Sequence, residues 1–315
     1  MQEREKKQMM GMMLSLFRHK SFVLPSLILN LFLNLTVLTT TTYALPRSLT
    51  PFQKRNLATL SSIYDLTVFP NQLPILIHGP NAVPAGLFNN DASGRVNPVG
   101  NFSGFEDSIE YFFALSPIAQ QGVRSVVISK AEIVEFTSSC PEVAASVVYL
   151  ETKVVNPGGQ DDGKQLSTLK QVAFWRFDDC GAVLKYDAWI PNLNTWLEVN
   201  NGFSISDPSQ QARSIEGLCA VTQQKCMGAD SQWTDIDHCV TSLSQKPYGT
   251  YDEAWGDNIV CRTIHLVLTT VRPDVHCPHV GPSGGGKCVD YPYQLEYFTD
   301  QAVFGDPQGQ TFQCT

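Results

Sequence analysis

The stretch FWRFDDCGAVLKYDAWIP, residues Phe174–Pro191, decides the fold. Two segments dense in Val, Phe, Tyr and Trp flank Asp178-Asp179-Cys180-Gly181, a group in which glycine is free to take positive φ, and the pattern predicts a hairpin. Upstream, Arg124–Phe136, Val143–Val155 and Leu166–Phe177 have the same β-branched and aromatic texture, and Ala182–Ile190 completes four strands. The Gly- and Asp-rich segment 156–163 is a looser turn between the second and third. Along the last strand, the two-residue period puts Val183, Lys185, Asp187 and Trp189 on one face. Leu184, Tyr186, Ala188 and Ile190 occupy the other.

Helices precede the strands. Thr50-Pro51 is an N-cap followed by proline in the first turn, and Leu57, Leu60, Ile63 and Leu66 recur at helical spacing, so residues 51–66 are expected to form an amphipathic helix. Pro70 and Pro74 close it. Residues 81–101 are rich in Asn, Gly and Pro and read as loops around a short turn at Pro84–Phe88. GFEDSIEYFFAL, Gly104–Leu115, reads as a second helix ended by Ser116-Pro117. Helices followed by a strand meander place the chain in the α+β class. Beyond about residue 204, Ile215–Cys226, Trp233–Leu243 and Asn258–Val271 look helical, Pro273 ends the third, and Cys277–Thr315 reads as irregular chain held by cross-links.

The chain has 315 residues, 43% hydrophobic and 17% charged, which fits neither a disordered acidic chain nor a multi-span membrane protein. Its N-terminus reads as an export signal. Arg4, Lys6, Lys7, Arg18 and Lys20 surround or precede the uncharged run FVLPSLILNLFLNLTVLTT (Phe22–Thr40), and Thr42-Tyr43-Ala44 offers small residues at the cleavage positions. Residues 1–44 are therefore expected to be a signal peptide and the protein to be secreted; the alternative is an uncleaved anchor that tethers it to a membrane. The net charge of −8 becomes more negative once this basic leader is removed, and such a surface repels nucleic acid and anionic lipid. No later stretch is long and apolar enough to span a membrane.

Nine cysteines suit an oxidising compartment, and an odd number leaves at least one unpaired. Cys219, Cys226, Cys239, Cys261, Cys277, Cys288 and Cys314 cluster late in the chain and are the disulfide candidates, each bridge contributing about 2–4 kcal/mol. Bridges among the predicted helices would staple them together; the pairing stays open, and Cys180 in the hairpin turn is the expected free thiol. Asn101-Phe102-Ser103, read as loop, is the glycosylation acceptor beyond the leader.

The order of elements, with the loop GLFNNDASGRVNPVGNFSGFEDSIEYFF (Gly86–Phe113) ahead of the meander, resembles the SnoaL-like group of the nuclear-transport-factor-two-like superfamily. Asp91, Pro98-Val99-Gly100, Gly104 and the aromatic pair Phe112-Phe113 match the family pattern, and Phe174–Pro191 matches its long closing strands. The resemblance covers roughly residues 50–200 and implies a domain over 45–203, with residues 204–315 as a cysteine-rich helical extension outside it. It implies a curved antiparallel sheet wrapped on helices as a cone, with a pocket for a small apolar ligand and no cofactor. A second copy of the chain is one further partner the fold would accommodate. Some members use one carboxylate or a His–Asp pair for acid/base chemistry, and the matching candidates are Asp187, Asp91 and His78. A desolvated Asp187 would have a raised pKa and could abstract a proton. Against this, Asp187 facing solvent, Asp91 capping a turn and His78 bonded to backbone would each be purely structural.

A second constellation lies in the extension. Cys261 and His265 are four apart on a predicted helix, His276 and His279 flank Cys277, and His238 adjoins Cys239. Zinc or copper accepts imidazoles at such spacing, so His265, His276 and His279 are candidate metal ligands. Oxidised cysteines would not serve as ligands, and paired CxxC motifs are absent. The glycine run before Lys287-Cys288 lacks the strand and helix of a phosphate loop, and neither GxSxG nor HExxH occurs. Three readings follow: a secreted binding protein with a pocket for a small apolar ligand; a cofactor-independent isomerase, cyclase or dehydratase; and an extracellular metal-binding module.

Overall fold

Six strands form one curved sheet in the order β2-β1-β6-β5-β4-β3. They are β1 (Phe88–Asn97), β2 (Gly100–Ser103), β3 (Ser125–Cys140), β4 (Val143–Val155), β5 (Gln165–Phe177) and β6 (Val183–Trp189). The computed structural model describes residues 48–297 and 299–315, so the signal-peptide expectation for residues 1–44 lies outside the described residues. All strand pairs are antiparallel except β1 with β6, which run parallel with Gly94 opposite Tyr186 and Arg95 opposite Asp187.

The four predicted strands are present. β1 and β2 instead occupy sequence expected to be loop. Their residues are mostly Asn, Asp, Ser and Gly, which carry little strand propensity, and pairing with β6 overrides that preference. Gly94 has a packing reason: a Cβ built there would lie 2.2 Å from the ring of Tyr186, which is wholly buried. Between β5 and β6 the side chain of Asp178 accepts from the backbone N–H groups of Cys180 and Ala182, and Gly181 has φ +91°. Cys180 is exposed at this turn and is the free cysteine.

Helix α1 (Pro51–Thr67) starts at the capping box of Thr50 and Gln53, with Pro51 in the first turn. Its Leu60, Ile63 and Tyr64 face the sheet. The short α2 (Leu73–His78) follows, and α3 (Gly104–Ile109) runs on through a wider π turn over Glu110–Ala114. Phe112 and Phe113 from that turn join Trp175, Tyr186 and Val148 in the main core.

After β6 the chain continues through α4 (Leu193–Asn201), α5 (Pro208–Lys225), α6 (Ile236–Leu243), α7 (Ile259–Leu268) and α8 (Pro273–Val280), ending with α9 (Tyr293–Tyr297) and α10 (Asp300–Phe304). Pro273 begins a helix here and does not only end one: its fixed φ suits the first turn. A second core of Ile215, Leu218, Trp233, Leu243 and Ile259 forms around the Cys219–Cys239 disulfide. Cys219–Cys239 joins α5 to α6, Cys226–Cys277 joins the end of α5 to α8, and Cys261–Cys288 ties α7 to the turn after α8. Cys140–Cys314 pins the chain's last residues to the β3–β4 hairpin. Residues 48–315 form one compact unit, and among the described residues no helix is long and apolar enough to cross a membrane.

Candidate functional site

Two cavities lie side by side, sharing Val99 and Ile264 as a wall. The first, of about 250 Å³, is lined by the sheet, α1, the π turn after α3, α4 and α7. Ile128, Leu150, Leu169, Phe112 and Trp196 are among its apolar lining residues. One of its polar features is a hydrogen-bonded chain. The Tyr64 hydroxyl donates to Gln171 Oε1 at 2.9 Å, and Gln171 Nε2 donates to the Tyr111 hydroxyl oxygen at 3.0 Å. Burial pushes both phenols well above the ordinary tyrosine range, so they stay protonated. Because Tyr111 accepts from Gln171, its own hydrogen remains available to an oxygen placed in the cavity. Among the described residues no carboxylate or imidazole lines this space.

The second cavity, of about 380 Å³, lies against α7 and α8. His276 and His279 are three residues apart on α8 and share a face, and α7 packs beside it carrying His265. The three Nδ1 atoms lie 3.1, 3.3 and 3.4 Å from one another. His276 and His279 are buried and His265 is half-buried. Burial and the neighbouring imidazoles hold His265 well below the ordinary histidine range and bring His279 to about 4, so both rings are neutral near neutral pH.

Glu110, from the π turn after α3, reaches His276 Nε2 at 3.0 Å. Arg272, just before α8, donates to the same carboxylate at 2.6 Å and to Asp107 at 2.6 Å. Burial alone would raise the Glu110 carboxyl; His276 and Arg272 outweigh it and hold the group below its usual value. Arg262 fixes the helices against each other. It is wholly buried on α7, pairs with Asp257 at 2.6 Å and donates to the carbonyls of Gly281 and Asn258. Asn101 on β2 borders the same cavity with a buried side-chain oxygen that has no partner, and Lys287 Nζ donates to the Asn101 backbone oxygen at 3.0 Å. The Asn101-Phe102-Ser103 sequon is thus on a strand, not in the expected loop.

The segment carrying the three histidines has a counterpart among known families. Residues 186–291 match the family described as the BfoA family C-terminal domain. That span holds His265, His276, His279 and six of the disulfide-bonded cysteines, while Glu110 lies outside it. The chain is 27% identical over 249 residues to bifonsecin B biosynthesis cluster protein A of Aspergillus brasiliensis, which covers 74% of this chain and 82% of the relative. It is equally similar to aurasperone B biosynthesis cluster protein A of Aspergillus niger, over 74% and 80% of the two chains. Similar solved structures include a candidate SnoaL-like polyketide cyclase from Jannaschia sp. CCS1, with TM-score 0.32, 11% identity and coverage of 49% of this chain and 96% of that one. A steroid delta-isomerase from Pseudomonas aeruginosa has TM-score 0.30 and 14% identity, over 49% and 91%.

The three acid/base candidates are not brought together. Asp187 lies on the sheet face turned away from the first cavity, since Tyr186 and Ala188 take the core side. Arg95 grips it with two hydrogen bonds, at 3.0 and 2.6 Å. Burial pushes the Asp187 carboxyl up and the Arg95 guanidinium offsets part of that rise. Residues of α10 cover the pair: Asp300 lies 3.3 Å from Arg95, and the Phe304 ring sits beneath its guanidinium. Asp91 is exposed on β1 and His78 is exposed at the end of α2. Neither lines either cavity.

Sequence reading missed Glu110, Arg272 and Arg262. Only Arg262 left a signal, as a lone charge inside the otherwise apolar run IVCRTIHLVL. Glu110 sits 166 positions from His276, and nothing local marks it.

Proposed function

We propose that this protein is an exported small-molecule-binding protein whose first cavity takes a compact, largely apolar ligand bearing one oxygen acceptor. The observation that carries this reading is the apolar wall interrupted by the Tyr64–Gln171–Tyr111 chain. Pockets for drug-sized ligands are about 300–1,000 Å³, so a cavity of about 250 Å³ suits a small occupant. The Tyr111 hydroxyl orients that occupant through one hydrogen bond. Relatives named for biosynthesis clusters support a role with a small metabolite. Export is part of the proposal: four disulfides suit an oxidising compartment, and the sequence of residues 1–44 has the form of a cleavable leader.

The enzymatic alternative, an isomerase, cyclase or dehydratase without a cofactor, draws on the same tyrosine. A protonated Tyr111 can polarise a ligand carbonyl. Removing a proton from carbon also needs a base, and no carboxylate or imidazole among the described residues reaches this cavity. Binding is therefore the favoured reading.

Titration with N-phenyl-1-naphthylamine, a neutral dye that brightens in apolar surroundings, tests it. One saturable site is expected in the wild type and none in Leu150→Trp, whose indole would fill the cavity. Equal dye binding by a folded Leu150→Trp protein would refute the assignment. Mass measurement of protein from culture medium tests export, with a mature chain starting near residue 45 as the expected result.

A further inference from the structure

The three Nδ1 atoms of His265, His276 and His279 form a nearly equilateral triangle with sides of 3.1–3.4 Å. A neutral imidazole has one N–H and one lone pair. Where the Glu110 carboxylate accepts from Nε2 of a neutral His276, the lone pair of that ring sits on Nδ1. The other two rings cannot complete a satisfied set. If both direct N–H toward His276, their hydrogens are forced together; if either presents a lone pair, it meets another. Mutual hydrogen bonding therefore leaves at least one unfavourable edge in this triangle.

A cation at the centre removes the conflict, because all three nitrogens then present lone pairs to it. Nitrogens placed about 2.0–2.1 Å from a zinc-sized ion at tetrahedral angles are separated by roughly 3.3–3.4 Å. The observed sides fall at or just below that spacing. The Glu110–His276 contact is also the arrangement that fixes the tautomer and orientation of a metal-bound histidine.

We propose that His265, His276 and His279 bind one divalent transition ion, zinc(II) or copper(II), through their Nδ1 atoms, with Glu110 as a positioning residue and a fourth coordination position open to the second cavity. Three imidazoles suit both ions, and copper(II) binds the tighter in such a donor set. Cys261 and Cys288 lie close by but are bonded to each other, so they are not ligands. The open position takes water or an anionic oxygen from a ligand. The Lys287 ammonium beside the cavity favours negative charge there, and the unpartnered Asn101 oxygen can accept a hydrogen bond from a bound water or hydroxyl. This site is independent of whether the first cavity holds a ligand.

The test uses the secreted full chain. Protein purified without chelator is assayed for metal by mass spectrometry, then stripped and titrated calorimetrically with zinc chloride and with copper sulfate. About one equivalent is expected, with nitrogen hyperfine structure in the copper electron paramagnetic resonance spectrum. His265→Ala and His279→Ala should each weaken uptake by more than about 100-fold, since even changes behind the ligands cost about 10–100-fold. Circular dichroism and thiol counting confirm that the variants keep their fold and disulfides. His276→Ala is avoided because it also strips Glu110 of a partner. Uptake below a tenth of an equivalent by the stripped wild type overturns the proposal, as does undiminished uptake by a folded His265→Ala/His279→Ala double variant.

Discussion

Glu110 and His276 meet at 3.0 Å across 166 positions of sequence, so a carboxylate supplied by the sheet-side helices sets the orientation of an imidazole in the C-terminal helices. Arg272 completes the junction with two contacts to the same carboxylate and one each to Asp107 and Glu106. Glu110→Gln keeps the shape of the side chain and removes its charge. Zinc or copper uptake, measured by calorimetry beside the wild type, should weaken by about 10–100-fold.

Asp257 gives a prediction for pH. Its carboxyl is partly buried, which would raise its pKa, but hydrogen bonds from Lys246 and Arg262 outweigh this and hold it below its ordinary 3.8. A carboxyl depressed in the folded state stabilises the fold above its unfolded pKa and loses that contribution as pH falls through the folded value. The melting-temperature difference between wild type and Asp257→Asn should be fully developed at pH 5–7 and shrink below about pH 3.8. At neutral pH the substitution should cost about 1–3 kcal/mol, because it leaves the wholly buried Arg262 short of its charged partner. A difference that grows on acidification would contradict this account.

Gly94→Ala tests the close approach of β1 to β6. The added methyl would lie 2.2–2.3 Å from ring atoms of Tyr186, whose hydroxyl is itself tied to Ser108. Overpacking of this kind costs about 1–3 kcal/mol. Urea denaturation should register that loss; an unchanged midpoint would mean that the tyrosine has room to turn aside.

The cysteines give a count and an energy. Of nine cysteines, eight are paired, so one thiol per chain, Cys180, should react with a thiol reagent in the native protein. Cys140→Ser with Cys314→Ser should lower stability by about 2–4 kcal/mol in denaturant melts, since the lost bridge closes a separation of 174 residues.

The parts of the fold written in local texture were legible. β4 runs Val143–Val155, as its run of valines predicts, and β5 and β6 begin and end within one residue of expectation. β1 was not legible, because its Asn, Asp, Ser and Gly residues carry little strand propensity, and Ser93 and Arg95 are buried on the face away from the main core only through Asp187 and α10 from late in the chain. Asp187 misled for the same reason: parity correctly separated it from Tyr186, but only the tertiary structure says which face meets the first cavity. The histidines stood out by spacing. Their convergence needed α8, which begins at a proline that sequence reading took only as a helix end, and it needed Arg262 to lock α7 against the turn after α8.

Residues 300–314 act as a clasp on the outside of the sheet. Asp300 and Phe304 sit on Arg95, Phe312 packs against Phe174, the Thr311 carbonyl accepts from Arg176, and Cys314 locks the end to Cys140. The part of this surface around Arg95 is already claimed by the chain itself. Another molecule could stack there only after the clasp had been undone, and in oxidising surroundings a single sulfur–sulfur bond keeps it fastened.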